Sequence, residues 1–261
     1  RSMRFSSLKT FLNQFPILSS LLTNSLSFRL KLYSYFQCIW HFLSKGHLVR
    51  SIHILSFLRH YSHNKSFLGL QVGGGRHLIL SPNWINGDLI AGDIYLDARK
   101  KLPFPDNSID FIFAEQFIEH LTSEQSFFFA SECLRILRND GVLRLATPDL
   151  DKLFLVFFDR NPSVDLDIVL KRHFKTHRQS SLVSAPLATD LINDFFYLWG
   201  HKNLFNFASL KRLFSDVGFA DISLVSYGES KFPSLRNLER HSDQDAYWTR
   251  DALNVIVEVS K

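Results

Sequence analysis

Residues 67–75 read Phe-Leu-Gly-Leu-Gln-Val-Gly-Gly-Gly, an apolar run that ends in three consecutive glycines. A short apolar run bounded by glycines predicts a buried β-strand followed by a tight turn. The 261 residues include only 11 glycines, so three in succession indicate a place where the backbone must turn or be closely approached. This turn is therefore the first candidate for a binding site.

Six further apolar runs follow, separated by helical patterns and turns. Strands are predicted at 67–72, 84–88, 93–97, 109–114, 142–146, 220–227 and 253–259, and helices at 123–138 and 206–217. This alternation predicts an α/β fold built on a doubly wound, mainly parallel, seven-stranded Rossmann-like sheet. The last two strands have no full crossover helix between them, which predicts an antiparallel hairpin at one edge of the sheet.

The charge distribution divides the chain. Residues 1–87 contain ten Lys or Arg and no Asp or Glu, whereas the remainder contains twenty basic and twenty-five acidic residues. We therefore predict a basic helical N-terminal extension over 1–65 and a domain over 66–261. Within the extension, apolar spacing predicts a helix at 47–61. Residues 150–200, rich in aromatic side chains, are predicted to form a helical lid inserted into the domain.

The role of the extension stays open between three interpretations. An acid-free, Ser-rich start resembles an organelle transit segment, an amphipathic helix lying on anionic lipid, and a helical extension packed on the domain. The uncharged run over 10–28 is too polar for a membrane span. Two cysteines, Cys38 and Cys133, suit a reducing compartment. We expect a cytoplasmic protein, with membrane-surface contact through the basic arm as one option.

Glycines or carboxylates follow five successive predicted strands. In order along the chain they are Gly73–Gly75, Asp88, Asp97, Glu115 and Asp149. Ligands of an open parallel sheet bind outside the carboxyl ends of its strands. A nucleoside cofactor would use each feature: glycines allow close backbone approach, one acid accepts the ribose hydroxyl protons, and another accepts from the adenine amine.

Five segments resemble a known family. They are LQVGGGRHLILSPNWINGDL (70–89), YLDARKKLPFPDNSIDFIFAEQFIEHL (95–121), LRILRNDGVLRLATPDLDKL (134–153), WGHKNLF (199–205) and GFADI (218–222). Together they resemble the class I S-adenosylmethionine-dependent methyltransferases, and most closely a small bacterial group associated with cell-surface polysaccharide synthesis. The resemblance covers roughly residues 47–261, and the LPFPDNSID…EHL block is its most specific part.

The resemblance implies an S-adenosyl-L-methionine site and a methyl acceptor that is a small molecule, a sugar or a glycan intermediate. The cofactor-binding residues that it implies are Gly73, Gly74, Gly75, Asp88, Asp97, Ala98 and Glu115. Three positions depart from the family pattern: Gln71 replaces an acid, His77 replaces a glycine, and Gln116 replaces a histidine. The nine residues over 76–84 also leave no room for the usual crossover helix.

Three side chains are candidates for catalysis. If the acceptor is a hydroxyl, a base assists methyl transfer, and His120, His201 and Asp149 are placed to serve. A structural role for either histidine remains the alternative. No metal site is expected, because His173 and His177, although spaced like zinc ligands, lack the glutamate of that motif.

The sequence also bears on three other functions. The altered glycine loop favours, as the main alternative, a catalytically silent protein that keeps the fold as a binding module or scaffold. A nicotinamide-dependent dehydrogenase would need a G-x-G-x-x-G pattern, and here the glycines stop at Gly75. Nucleic acid is disfavoured as a partner, although the basic arm could bind it. The sequence makes no prediction of oligomeric state.

Overall fold

One sheet organises the residues that the computed structural model describes, which are 67–75, 77–158, 187–240 and 253–261. Its strands are β1 (Gly69–Val72), β2 (Trp84–Asp88), β3 (Ile94–Tyr95), β4 (Ile109–Glu115), β5 (Leu137–Pro148), β6 (Asp221–Leu224) and β7 (Asn254–Ser260). The spatial order is β3-β2-β1-β4-β5-β7-β6. The predicted extension over 1–65, with its helix at 47–61, lies outside the described residues.

The pairing directions confirm the predicted fold class. Strands β1 to β5 pair in parallel, whereas β7 is antiparallel to both β5 and β6. The order reverses between β1 and β4, since the chain runs outward to β3 and then returns to the other side of β1. This is the switch point at which open α/β sheets bind ligands.

Four α-helices lie in the described ranges. They are α1 (Ser123–Ile136), α2 (Leu150–Phe157), α3 (Ala188–Tyr197) and α4 (Phe207–Val217). Thr122 and Asn206 cap α1 and α4 through capping boxes, and Gly218 ends α4 at a φ of 110°. Helix α4 matches its prediction to within one residue. Of the predicted helical lid, α2 and α3 are described and the residues between them are not.

Two predicted boundaries were wrong around the turn at 139–141. Helix α1 ends at Ile136 rather than at Arg138, because Leu137 is extended and begins β5. The Asn-Asp-Gly sequence, expected to stop the helix, lies inside this longer strand, where Asp140 has a φ of 63°. The predicted strand at 93–97 is also reduced to two residues, Ile94 and Tyr95. Asp97 lies in the following loop, where Oδ1 accepts from the amide of Arg99.

The two faces of the sheet are covered differently. On one face, the side chains of α1 and α4, such as Phe129 and Phe214, pack on sheet residues that include Leu70 and Ile112. On the other face, Trp84, Phe113 and Val142 pack against Leu235 and Leu238 of the segment 228–240. No helix of the described residues is long and apolar enough to span a bilayer.

A pinned loop connects β1 to β2. Residues 77–83 carry no helix, as their number predicted. Gln71 and Asn86 are direct cross-strand partners, and each accepts a hydrogen bond from the amide of Ile79 at 2.9 Å. Gln71 also donates to the carbonyl of His77 at 2.8 Å. The buried side-chain amides of Gln71 and Asn86 thus hold this short connection against the sheet. In the usual fold, a crossover helix makes this connection.

A buried arginine secures the segment 228–240. Arg144 of β5 is fully buried and forms ion pairs with Glu239 and, at 2.7 Å, with Glu258 of β7. It also donates to the carbonyls of Glu229 and Ser226 at 2.7 and 3.2 Å. Its charge and its donors therefore tie this segment to the centre of the sheet.

Candidate functional site

The glycine turn lies at the switch point, beside the chain that leaves β4. Gly73 has a φ of 70°, and a β-carbon at that position would lie 2.3 Å from the Phe117 ring. Only glycine therefore fits there without displacing the aromatic side chain. This contact joins the carboxyl ends of β1 and β4 into one rim.

The turn leaves open space above Gly75. Gly75 has a φ of 53°, and a β-carbon built on it would meet no atom of the described residues within 4 Å. Its amide donates to Oδ2 of Asp88 at 3.1 Å. Oδ1 of Asp88 accepts from the amides of Ile90 and Ala91 at 2.8 and 3.2 Å. The structure therefore brings together the glycine turn and Asp88, as the predicted cofactor site requires.

Asp97 and Ala98 lie beyond β3. Asp97 is buried and accepts from Arg99 Nε and Nη2 at 2.8 and 3.1 Å, with Lys100 Nζ at 3.6 Å. Burial alone would raise the pKa of Asp97, but the hydrogen bonds and charge of Arg99 outweigh it and lower this pKa. Ala98 is buried beside it. The adenine-binding role of both residues stays a prediction.

Glu115 ends β4, and its carboxylate is engaged within the protein. Oε2 accepts from the Arg240 amide at 3.0 Å, so this side chain holds the end of the segment 228–240. The next residue, Gln116, has a φ of 49° and donates to the Asn254 side chain at 2.9 Å. A direct contact of Glu115 with a cofactor stays a prediction.

The two candidate histidines meet just after Phe117 in the fold, the residue whose ring lies against Gly73. His120 ends a 3-10 turn (Ile118–His120) that begins one residue after Phe117, and His201 follows α3. Their ring centroids are 4.9 Å apart in an edge-to-face arrangement. Burial lowers the pKa of both imidazoles, which favours their neutral form. The structure therefore brings together two residues that are 81 positions apart in the sequence.

Glu119 is a residue of this cluster that the sequence analysis missed. Its side chain is buried, and Oε2 accepts from Oγ1 of Thr147 at the end of β5, at 2.9 Å. Its carbonyl accepts from the amides of Lys202 and Asn203, at 2.8 and 3.2 Å. The sequence offered one indication of its role: Glu119 immediately precedes His120 in the LPFPDNSID…EHL block.

Asp149, the third catalytic candidate, caps a helix. It precedes α2, and Oδ1 accepts from the Asp151 amide at 3.0 Å. Burial raises the pKa of this carboxyl. Lys152 Nζ approaches Oδ2 at 4.0 Å. These contacts describe a structural N-cap, and a catalytic role for Asp149 stays a prediction.

A comparison with protein families identifies part of this architecture. Residues 86–145, well under half of the chain, match the family described as "Methyltransferase domain". The matched stretch runs from β2 through β5 and includes Asp88, Asp97, Glu119 and His120. This part of the chain is therefore similar in sequence to a methyltransferase domain, and the sheet has a Rossmann-like fold.

A curated relative of known class matches a short stretch of the chain. A probable S-adenosylmethionine-dependent methyltransferase of Mycolicibacterium smegmatis is 45% identical over 49 residues, which are 19% of this chain and 18% of that protein. The match thus spans less than a fifth of the curated relative.

Solved structures with a similar arrangement include methyltransferases. An S-adenosylmethionine-dependent methyltransferase of Archaeoglobus fulgidus is 13% identical, with a TM-score of 0.44 over 85% of this chain and 98% of that one. A possible histamine N-methyltransferase of Thermotoga maritima is 15% identical, with a TM-score of 0.44 over 87% and 98% of the two chains. The fold assignment itself rests on the strand order and pairing directions described above.

Proposed function

We propose that this protein is an S-adenosylmethionine-dependent methyltransferase. The observation that carries the proposal is the open space above Gly75, whose amide is bonded to Asp88 at the switch point of the sheet. The domain match over 86–145 and the name of the M. smegmatis relative support the same activity.

The residues at this rim suit an adenosine-bearing ligand. Gly73, Gly74 and Gly75 would let the ligand approach the backbone, and Asp88 would accept its ribose hydroxyl protons. Asp97 and Ala98 are proposed to hold the adenine end, with Glu115 supporting the rim through Arg240. The bound cofactor supplies an electrophilic methyl group, so the protein's main tasks are to position the acceptor and to exclude water.

The acceptor side is proposed to lie at His120 and His201. The cluster follows Phe117, which contacts the glycine turn, so it lies on the same rim as the cofactor site. A neutral imidazole nitrogen can serve an acceptor hydroxyl either as a base or through a bound cation. Asp149 is a weaker candidate for the base, because its carboxylate caps α2.

The chemical class of the acceptor is proposed to be a sugar or glycan intermediate. Only the resemblance to the polysaccharide-associated group supports this choice. The same resemblance and the low cysteine content support a cytoplasmic site of action. Contact of residues 1–65 with an anionic membrane surface is proposed from their uniformly basic charge.

Calorimetry with S-adenosylmethionine and S-adenosylhomocysteine tests the activity class. We expect saturable binding of both ligands by the full chain. Absence of binding at millimolar ligand would instead favour the catalytically silent alternative, which the departures at Gln71 and His77 suggest.

The substitution Asp88→Asn tests the assignment of the site. Removing the charged acceptor should weaken S-adenosylhomocysteine binding by about 10- to 100-fold, since hydrogen bonds to charged groups contribute about 1.5–3 kcal/mol. Asp216→Asn on the exposed face of α4 is the matched control and should bind like the parent. Equal affinity of both variants and the parent would contradict the assignment, provided that the melting temperatures agree.

A further inference from the structure

Three metal-ligating side chains converge at the acceptor side of the rim. Glu119, His120 and His201 each offer one donor atom, and these atoms all lie within 4.8 Å of one another. Within the ranges that the structure describes, no second group of three His, Cys, Asp or Glu side chains is close enough to hold a metal ion. The expectation of no metal site was based on other residues, among them His173 and His177, which lie outside the described residues.

A main-chain carbonyl orients one of the two imidazoles. Nδ1 of His201 lies in hydrogen-bond contact with the carbonyl of Phe195. A neutral imidazole that donates from one nitrogen to a carbonyl presents a lone pair on the other. Ligand histidines in metal sites have this same arrangement, because the outer hydrogen bond fixes the tautomer and the ring orientation.

The carboxylate of the cluster is also supported. Thr147 Oγ1 donates to Oε2 of Glu119 at 2.9 Å, and the burial of both residues keeps the carboxylate in a defined position. The Glu119 carbonyl accepts from the amides that follow His201, so the two halves of the cluster are joined by backbone hydrogen bonds as well. The donor set is therefore held by three elements of the fold.

We propose that Glu119, His120 and His201 bind one divalent transition-metal ion. Two imidazole nitrogens and one carboxylate oxygen suit Zn²⁺, Mn²⁺, Fe²⁺ or Co²⁺, whereas Mg²⁺ and Ca²⁺ favour oxygen donors alone. Three protein ligands leave coordination positions open, as in catalytic metal sites. The open positions would take an oxygen ligand, such as a hydroxyl of the methyl acceptor; only this role rests on the proposed function.

Binding of Co²⁺ to the full chain, stripped of metal with a chelator, tests the site directly. We expect one equivalent to bind, with visible absorption bands that Zn²⁺ abolishes by competition. Glu119→Gln and His201→Ala should each weaken Co²⁺ binding by more than about tenfold, since even the loss of an outer-shell partner has an effect of this size. The double variant His173→Ala/His177→Ala is the matched control and should bind like the parent.

Two further measurements make the outcome decisive. His201→Gln, which keeps hydrogen-bonding groups, provides a second variant should His201→Ala fail to fold, and the melting temperature of each metal-free variant reports folding. Loss of Co²⁺ binding only in the control double variant, or a parent that binds no stoichiometric Co²⁺, would overturn the metal site. Calorimetry with S-adenosylhomocysteine on the metal-free parent tests the proposed function separately, because Asp88 and the glycine turn lie outside the metal-binding group.

Discussion

Gly73 and Gly75 share a left-handed backbone but differ in their surroundings. A β-carbon at Gly73 would overlap the Phe117 ring, whereas one at Gly75 would project into space that the described residues leave open. The first glycine is thus required by packing within the protein, and the second leaves room for a ligand. The triglycine sequence predicted the turn, but only the structure shows that Gly73 is needed for packing and that Gly75 leaves room for a ligand.

Alanine substitutions should separate these roles experimentally. Gly75→Ala places a side chain at a φ of 53°, which costs about 1–2 kcal/mol of stability, and its methyl group should also weaken S-adenosylhomocysteine binding by about tenfold or more. Gly73→Ala should lower the melting temperature further, because Phe117 must move. Thermal unfolding and calorimetry check both effects. If Gly75→Ala bound the ligand as tightly as the parent, the open space would not be the cofactor site.

At the scale of elements, α1 holds the proline-rich loop 101–108 in place. Arg135 donates to the carbonyls of Leu102 and Phe104 and pairs with Asp106 and Glu132. Glu132 in turn accepts from the Leu102 amide at 2.7 Å. The most specific block of the family resemblance is therefore a loop whose backbone groups are bonded to one helix.

The pH dependence of stability should report this anchor. Burial alone would raise the pKa of Glu132, but hydrogen bonds from Arg135 and the Leu102 amide outweigh it and lower this pKa from its ordinary value. A carboxylate with a lowered folded-state pKa stabilises the fold above its unfolded pKa, and this contribution is lost as the pH falls through the folded-state value.

Glu132→Gln should accordingly lower the free energy of unfolding at pH 7 by about 1.5–3 kcal/mol, since hydrogen bonds to a charged group are lost. The difference from the parent should shrink as the pH falls through the lowered pKa of Glu132, where the parent carboxylate also becomes protonated. Urea unfolding at neutral and acid pH measures both values. A difference that stayed constant between them would contradict the electrostatic explanation.

At the scale of the whole molecule, the buried charges around Arg144 join distant parts of the chain. Glu239 and Glu258 lie 95 and 114 positions away from Arg144. Arg144→Met should reduce the free energy of unfolding by about 3–5 kcal/mol, because two buried carboxylates lose their cation. Arg138→Met, which removes a half-exposed arginine paired with Asp110, is the control and should cost less than about 1 kcal/mol. Urea denaturation compares them, and equal losses would refute a special role for Arg144.

The sequence predicted the layout of the molecule better than its contacts. Strand and helix periodicity placed seven strands and the helices α1 and α4, because burial imposes regular apolar spacing on each element. The spacing of the glycine turn and Asp88 also predicted their proximity. The association of Glu119 with His201, and of Arg144 with Glu239, could not be predicted, because each depends on segments that only the tertiary fold brings together.

The shared amide of Ile79 gives the rim a mechanical property. Gln71 and Asn86 face each other across adjacent strands, and both accept from the same peptide group. Separating β2 from β1 therefore breaks at least one of the two hydrogen bonds that fix the loop at Ile79. Conversely, releasing the loop removes the peptide group that links the two side chains. This side of the glycine turn is thus expected to open and close as a single cooperative unit.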